Sequence, residues 1–232
     1  MTDVSIAITT GVGADNQVQS TSATYNKGIE INFSLIATAR RYKCRFDLSG
    51  IPAGNVAIAA TLKLYHANTN GINNTYGVYK ISDANGNWIE GTQNSALALS
   101  GEPCWNAKAA NGSGGVTTAW AGSAGLMTAV TDYINTVIAS ASTGGSITAN
   151  AALDFTFNAD GLAVLSSWFG QATNNGMLIF PTAATTTGGF HSKEAATAGY
   201  RPTLDITYVP ASGHPAVNRM SLIKFANGYK GV

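Results

Sequence analysis

Charged residues are scarce in this sequence. Asp, Glu, Lys and Arg make up 11% of the 232 residues, less than half of the usual share of about 25%. The surface must therefore be covered largely by Thr, Ser, Asn, Gly and Ala, which suits a secreted or particle-bound β protein better than a cytosolic enzyme. The formal net charge of +1 argues against strong attraction to nucleic acid or to anionic membranes, so we expect neither as a partner.

Long apolar runs are also absent. No run of about eighteen apolar residues occurs, so we expect no membrane insertion. The first residues, MTDVSIAITTGVG, have neither a basic region nor a long apolar core, so we expect no signal peptide in this chain. The composition nevertheless predicts an extracellular location or the surface of a particle, reached by assembly or after removal of a leader.

Cysteine is limited to Cys44 and Cys104. A single pair is weak evidence for a disulfide. Cys44 also alternates in step with the residues that we expect to face inward in its strand, which favours a buried free thiol. A disulfide between them stays an alternative. His66, His191 and His214 show no zinc-ligand spacing with one another or with cysteine.

The clearest pattern runs from Arg40 to His66, where two alternating segments flank a Pro-Gly turn. Period-two alternation puts one set of side chains on a buried face and the other set in solvent. In the first segment the inward set is apolar and comprises Tyr42, Cys44, Phe46 and Leu48. We expect two adjacent strands of a β-sandwich whose basic residues lie side by side on one solvent face: Arg41, Lys43, Arg45 and Lys63.

Other segments show the same alternation and are separated by Gly, Pro and Asn, which is typical of a sandwich or jelly roll. We expect strands at Val4–Thr9, Ile29–Ile36, Tyr76–Ile81, Ala152–Phe157, Met177–Phe180, Phe190–Lys193 and Thr203–Val209. Gly11–Asn16 is predicted to be a loop. Met127–Ile138 fits both a helical and an extended period.

Two regions depart from the strand pattern. From Ser82 to Gly125 the chain loses periodicity and contains Trp88, Trp105 and Trp120. Large apolar side chains in irregular chain must be covered, so we expect a long, packed, Trp-rich loop region. Ala159–Phe169 follows Asn158, a favourable N-cap, and is predicted to be the one short helix.

We expect a single β-sandwich domain over residues 1–209 and a tail over 210–232. The sequence pattern changes after Pro210, and the tail is apolar enough to dock on a partner or a neighbouring subunit. Its candidate assembly residues are Met220, Leu222, Ile223, Phe225 and Tyr229.

Several motifs resemble those of the DNRLRE domain family, in order over about residues 12–209. They are RRYKCRFDLSGIPAGNVAIAATLKLYH, VYKISDANGNWIEGT, CWNAKAANG, LDFTFNADGLAVLSSWFGQATNNGMLI and FHSKEAATAGYRPTLDITY. Cys104 stands where the family usually has Thr. This family comprises non-catalytic jelly-roll modules that include alginate-binding modules. The resemblance therefore implies an all-β, jelly-roll-like antiparallel β-sandwich with one short helix, and it favours an extended Met127–Ile138.

Three functions follow as expectations. The first is a non-catalytic structural or adhesion subunit of a large extracellular assembly, such as a virus particle decoration, a fibre or a surface filament, with other protein subunits as partners. The alternative is a module that binds acidic polysaccharides such as alginate, for which the candidate residues are Arg41, Lys43, Arg45, Lys63 and Tyr65. A polysaccharide-degrading enzyme using Glu90 and Glu102 is a distant alternative, because carboxylates in turns usually bind backbone N–H groups.

None of these three expected functions requires a cofactor, although a structural Ca²⁺ is compatible with the sequence. Calcium prefers carboxylate and carbonyl oxygens. The oxygen donors that we expect to matter are Asp15, Asn16, Asp47 and Glu194.

Overall fold

The computed structural model describes residues 5–69, 73–145, 147–171, 174–183 and 189–210, so the predicted assembly residues Met220, Leu222, Ile223, Phe225 and Tyr229 lie outside the described residues. The described chain is built mainly of strands, with one α-helix, α1 (Ala159–Trp168). The strands are β1 (Ile6–Gln19), β2 (Tyr25–Asn26), β3 (Asn32–Ser34), β4 (Arg40–Phe46), β5 (Val56–Tyr65), β6 (Thr75–Ile81), β7 (Ala96–Leu97), β8 (Ala109–Ala110), β9 (Val116–Thr118), β10 (Tyr133–Ser142), β11 (Ala152–Phe157), β12 (Met177–Pro181), β13 (Gly189–His191) and β14 (Thr203–Val209).

Eight strands form one closed antiparallel arrangement in the order β1-β14-β5-β11-β10-β6-β12-β4, with β4 returning to β1. Residues Ile6–Gly11 of β1 pair with β14. From Val12 onward β1 pairs with β4, with a register shift between Val12 and Ala14. At the opposite junction β10 and β11 share only two residue pairs. The predicted all-β, jelly-roll-like antiparallel sandwich with a short helix is confirmed.

The main hydrophobic core fills the interior of this arrangement. Inward residues of β4, β5, β11 and β14 alternate with outward ones, as the sequence predicts. Tyr42, Cys44 and Phe46 are fully buried there with Leu62 and Leu64. Burial of each large apolar side chain stabilises the fold by about 1.5–3 kcal/mol.

A second hydrophobic cluster lies on the outer face of the β4-β12-β6 sheet. It contains Tyr79 and Ile81 of β6, Leu178 and Phe180 of β12, and Trp88 from the irregular region. The chain between β6 and β10 covers this face as an additional layer, which we call the loop layer (residues 82–132). Trp88 and Trp120 are buried in it, as predicted, whereas Trp105 is only partly buried.

The carboxylate of Asp132 organises the loop layer. Its Oδ1 accepts hydrogen bonds from the backbone N–H of Gly122 and from Asn85 Nδ2, both at 2.8 Å. Its Oδ2 accepts hydrogen bonds from the backbone N–H groups of Ser123 and Thr128, both at 2.9 Å. Asp132 is fully buried, so these four donors take the place of its water shell.

The helix forms where the sequence predicts it. Asn158 accepts a hydrogen bond from the backbone N–H of Gly161 at 2.9 Å and so caps the first turn. Leu165 and Trp168 are buried against the main core. Gly170 has a φ of +78° just beyond the helix end, where a side chain would be strained. None of the described helices is long and apolar enough to cross a membrane.

Three local predictions are wrong. Gly11–Asn16 is not a loop, because β1 runs through it and pairs with β4. Ile29–Ile36 is extended only at β3, and Ile29 and Ile31 are largely exposed because the adjoining chain forms turns. The strands β4 and β5 are not paired: β4 pairs with β1 and β12, whereas β5 pairs with β11 and β14.

Candidate functional site

The basic residues of β4 do not form the solvent face that the sequence predicts. Arg41 is 4% exposed and Lys43 is 0% exposed. The loop layer covers this face, so the prediction that these side chains face solvent is wrong. Alternation identified the two faces of β4, but it did not show that both faces are buried.

Aromatic rings pack against these basic side chains instead. The guanidinium carbon of Arg41 lies 3.9 Å from the ring centroid of Phe180, and the guanidinium donates hydrogen bonds to the backbone carbonyls of Ala37 and Leu126. The Lys43 Nζ lies 3.6 Å from the ring centroid of Trp88. Half-buried Arg45 lies 5.0 Å from the same ring. The contacts of Arg41 and Arg45 are cation–π contacts, and all three side chains pack against the loop layer.

Lys63 lies on a strand that does not pair with the strand of the other three basic residues. It projects from β5, and its Nζ forms an ion pair with Asp205 of β14 at 2.7 Å. Tyr65 follows on the same face of β5 and is partly exposed. The five predicted glycan-binding residues are therefore divided between a covered face and an open one.

An aromatic surface surrounds Tyr65 on the open face. The rings of Tyr65 and Tyr200 have centroids 5.9 Å apart, and His191 stacks on Tyr200 at 5.5 Å with an interplanar angle of 15°. All three side chains are partly exposed. We call Tyr65, Tyr200 and His191 the aromatic platform. Tyr200 and His191 were missed because nothing in their sequence spacing links them to Tyr65.

The predicted oxygen donors are only partly brought together. Asp15 and Glu194 meet, joined by Glu90, and one carboxylate oxygen from each lies within 4.8 Å of the others. Asn16 is adjacent, since its Nδ2 donates to the backbone carbonyl of Glu90 at 2.8 Å. Asp47 lies elsewhere: it is exposed and accepts a hydrogen bond from the backbone N–H of Ser49, so its inclusion was wrong.

A lysine ammonium already contacts two carboxylates of this cluster. Lys193 Nζ forms an ion pair with Glu90 and lies 3.6 Å from Glu194 Oε1. Burial opposes the charge on Lys193, but the hydrogen bond to Glu90 and the neighbouring carboxylates raise its pKa overall. The donor chemistry suits Ca²⁺, yet the ammonium supplies the positive charge. These residues therefore do not fit a resident Ca²⁺ in this arrangement.

Asp15 is the most strongly desolvated member of the cluster. Its Oδ2 accepts hydrogen bonds from Tyr42 Oη and from the backbone N–H of Lys193, both at 2.7 Å. Burial raises the pKa of its carboxyl to about 7, and the charges of Glu194 and Glu90 add to the increase. Asp15 therefore changes protonation near neutral pH.

The two carboxylates considered for catalysis bind backbone groups. Glu102 is buried and accepts hydrogen bonds from the backbone N–H groups of Thr92 at 2.6 Å and Leu99 at 2.9 Å. Glu90 Oε1 accepts one from the backbone N–H of Asp15 at 2.8 Å. Both behave as the turn carboxylates that the sequence favoured.

Apolar side chains are exposed on the outer surface of the loop layer. Leu97 pairs across β2 and β7 with Tyr25, and these side chains are 41% and 42% exposed. Leu99 and Val116 are 51% and 48% exposed. We call Tyr25, Leu97, Leu99 and Val116 the apolar patch.

No family model matches the chain, and no curated protein is significantly similar to it.

Proposed function

We propose that this protein is a non-catalytic structural or adhesion subunit of a large extracellular assembly, such as a particle decoration, a fibre or a surface filament. The observation that carries the proposal is the apolar patch. A chain with only 11% charged residues that also exposes large aliphatic side chains is suited to contact with another protein. The resemblance to the non-catalytic DNRLRE domain family supports the same proposal, and we propose membership of that family.

The apolar patch is held in a defined arrangement, which favours a role in docking another protein. Leu97 and Leu99 flank the fully buried Ala98, so the backbone that presents them is anchored. Tyr25 lies directly opposite Leu97 on the neighbouring strand. Full burial of each such side chain in an interface stabilises it by about 1.5–3 kcal/mol before the entropic cost of association.

The partner that we propose is the C-terminal segment of a neighbouring copy. Residues 211–232 contain five large apolar residues and no acidic residue, and the segment starts where the final strand ends. An apolar segment of this length is long enough to reach a second molecule. The interface is then heterologous, and repetition of it produces a filament or a ring.

Sedimentation velocity over a concentration series tests this proposal. We expect the parent protein to self-associate, and we expect both Leu97→Asp and deletion of Met220–Val232 to shift it to monomer. Ile58→Asp is the matched control, because Ile58 is 46% exposed on β5, outside the loop layer. A parent that remains monomeric at the highest concentration, or equal loss in the control, contradicts the proposal; circular dichroism verifies that each variant is folded.

A second candidate is binding of acidic polysaccharides, favoured by the aromatic platform. A sugar ring stacks its C–H face on an aromatic ring, and Lys63 lies two residues from Tyr65 on the same strand face, where it can meet a carboxylate. Arg41 and Lys43 do not take part in this version, since they are buried.

Retention on immobilised alginate tests the glycan candidate. We expect Tyr65→Ala and Tyr200→Ala each to weaken binding about tenfold, the equivalent of about 1.4 kcal/mol. Tyr25→Ala, which removes an exposed tyrosine of β2 far from the aromatic platform in sequence, is the control and should bind as the parent does. Absence of retention by the parent across acidic polysaccharides rejects this candidate and leaves the structural proposal standing.

A further inference from the structure

Asn16 and Lys43 are directly opposed on the paired strands β1 and β4. Opposed residues of antiparallel strands project to the same face, with Cβ atoms about 4.5–5.5 Å apart. That face is the one covered by the loop layer. The four-carbon stem of lysine is flexible enough to bring its amine to the amide carbon of a residue at this spacing.

Both side chains are completely enclosed, and each has an unused polar atom. Asn16 is 1% exposed and Lys43 is 0% exposed. Asn16 Oδ1 and Lys43 Nζ are buried without a hydrogen-bond partner among the described residues. Buried polar groups are usually paired, because an unmade hydrogen bond costs about 1–3 kcal/mol. Two such atoms on neighbouring positions therefore call for a chemical explanation.

The surroundings prepare the amine to react. Trp88 and Trp120 have ring centroids 3.6 Å and 5.8 Å from Lys43 Nζ. Burial lowers the pKa of Lys43 well below its ordinary value, which favours the neutral amine, although the charge of Glu90 works in the opposite direction. A desolvated neutral lysine is a nucleophile.

Glu90 lies beside Asn16 and is the candidate for proton transfer. Its backbone carbonyl accepts a hydrogen bond from Asn16 Nδ2 at 2.8 Å, which holds the amide in position. Its carboxylate accepts a hydrogen bond from the backbone N–H of Asp15, the residue next to Asn16. Its carboxylate also forms an ion pair with Lys193. For Glu90 to take a proton from the attacking amine and return it to the leaving nitrogen, the side chain must turn from Lys193 toward Lys43.

We propose that Lys43 and Asn16 join in an intramolecular isopeptide bond that links β1 to β4. The neutral Lys43 amine attacks Asn16 Cγ, the Cγ–Nδ2 bond breaks, and one ammonia molecule leaves. The product is a secondary amide between Nζ and Cγ. Glu90 removes the proton from Nζ and supplies it to the departing nitrogen, so no oxidant, reductant or cofactor is consumed.

The location gives the bond a mechanical consequence. The β1–β4 pairing is one of the contacts that close the arrangement of eight strands. A covalent bond there prevents β1 from separating from β4, which suits a subunit that bears load and has free cysteines. The inference is independent of whether the assembly or the glycan candidate is correct.

Intact-mass spectrometry of the purified, unmodified full chain tests the proposal directly. We expect a mass below that of the sequence by about 17 Da, the mass of one ammonia. Trypsin should then release residues 1–27 linked to residues 42–45, because Lys43 in an amide is no longer cleaved. A folded chain with the full sequence mass, or a 17 Da loss located in another peptide, overturns the proposal.

Variants distinguish the proposed isopeptide bond from other reactions that lower the mass by 17 Da. Lys43→Met and Asn16→Ala should each restore the full mass calculated for the variant. Lys63→Met and Asn135→Asp change a lysine and an asparagine elsewhere, so they should retain the 17 Da loss. Persistence of the loss in Lys43→Met contradicts the assignment even if the variant is less stable, because mass does not depend on its stability.

Discussion

Replacement of Asp132 by alanine is expected to dismantle the loop layer. Four donors converge on this carboxylate at 2.8–2.9 Å: the backbone N–H groups of Gly122, Ser123 and Thr128, and the side-chain amide of Asn85. Each hydrogen bond to a charged group contributes about 1.5–3 kcal/mol. The simple sum is an upper bound, since the loop relaxes and water enters when the carboxylate is removed.

We therefore expect Asp132→Ala to lower the free energy of unfolding by about 4 kcal/mol, a large part of the 5–15 kcal/mol typical of a domain. Asp132→Asn should be intermediate. Each carboxylate oxygen accepts from at least two N–H donors, so either orientation of the amide turns an NH₂ group toward two N–H groups and loses both hydrogen bonds.

Urea unfolding followed by circular dichroism and tryptophan fluorescence measures the loss, and hydrogen exchange at Gly122, Ser123 and Thr128 locates it. Asp154→Ala removes an exposed carboxylate from β11 and should change stability by less than about 0.5 kcal/mol. If Asp132→Ala unfolds within about 1 kcal/mol of the parent, with the same denaturant dependence, Asp132 does not organise the loop layer as argued.

Three more predictions concern other parts of the molecule. Burial raises the pKa of the Asp15 carboxyl from 3.8 to about 7, so its contribution to stability is fully present below the unfolded value and is lost as the pH rises through about 7. Relative to Asp15→Asn, the parent should lose up to about 1.4 kcal/mol per pH unit between about pH 4 and 7, measured by urea unfolding. Asn158→Ala should lower the free energy of unfolding by about 1 kcal/mol through loss of the α1 cap, measured in the same way. The buried thiols of Cys44 and Cys104 should resist a thiol reagent in the native protein and both react after unfolding in urea.

Each of these has a clear contrary result. A pH-independent difference between the parent and Asp15→Asn means that Asp15 does not titrate as described. An unchanged Asn158→Ala shows that the cap hydrogen bond makes no net contribution. Absence of free thiols after unfolding without reductant indicates a disulfide, the alternative that the sequence left open.

Segments with strong local periodicity were predicted well. β11 and β14 have the bounds that alternation predicts, and α1 differs by one residue at its C-terminal end. In each of these, the residues that must be buried recur with the period of the element, so local and tertiary preferences agree. Gly11–Asn16 failed because its Gly and Asn residues suggest a turn, whereas pairing with β4 imposes an extended conformation on them.

The candidate site was predictable only in part. Asp15 and Glu194 were recognised as oxygen donors from their residue types, but their meeting with Glu90 depends on three segments distant in sequence. Lys193, which forms ion pairs with Glu90 and Glu194, carried no signal in the sequence. Tyr200 was likewise missed, because its contact with Tyr65 exists only after β5 and the chain before β14 come together.

The sequence by itself determined the fold class, most of the long strands, the helix with its cap and the alternation of β4, because these depend on propensities and periods over a few residues. The tertiary structure alone decided what lies against each face. The outward residues of β4 read as a solvated row of charges, and the loop layer placed tryptophans over them. Lys43 thereby changed from a predicted surface cation into a buried amine opposite Asn16, because burial depends on chain segments that return from far along the sequence.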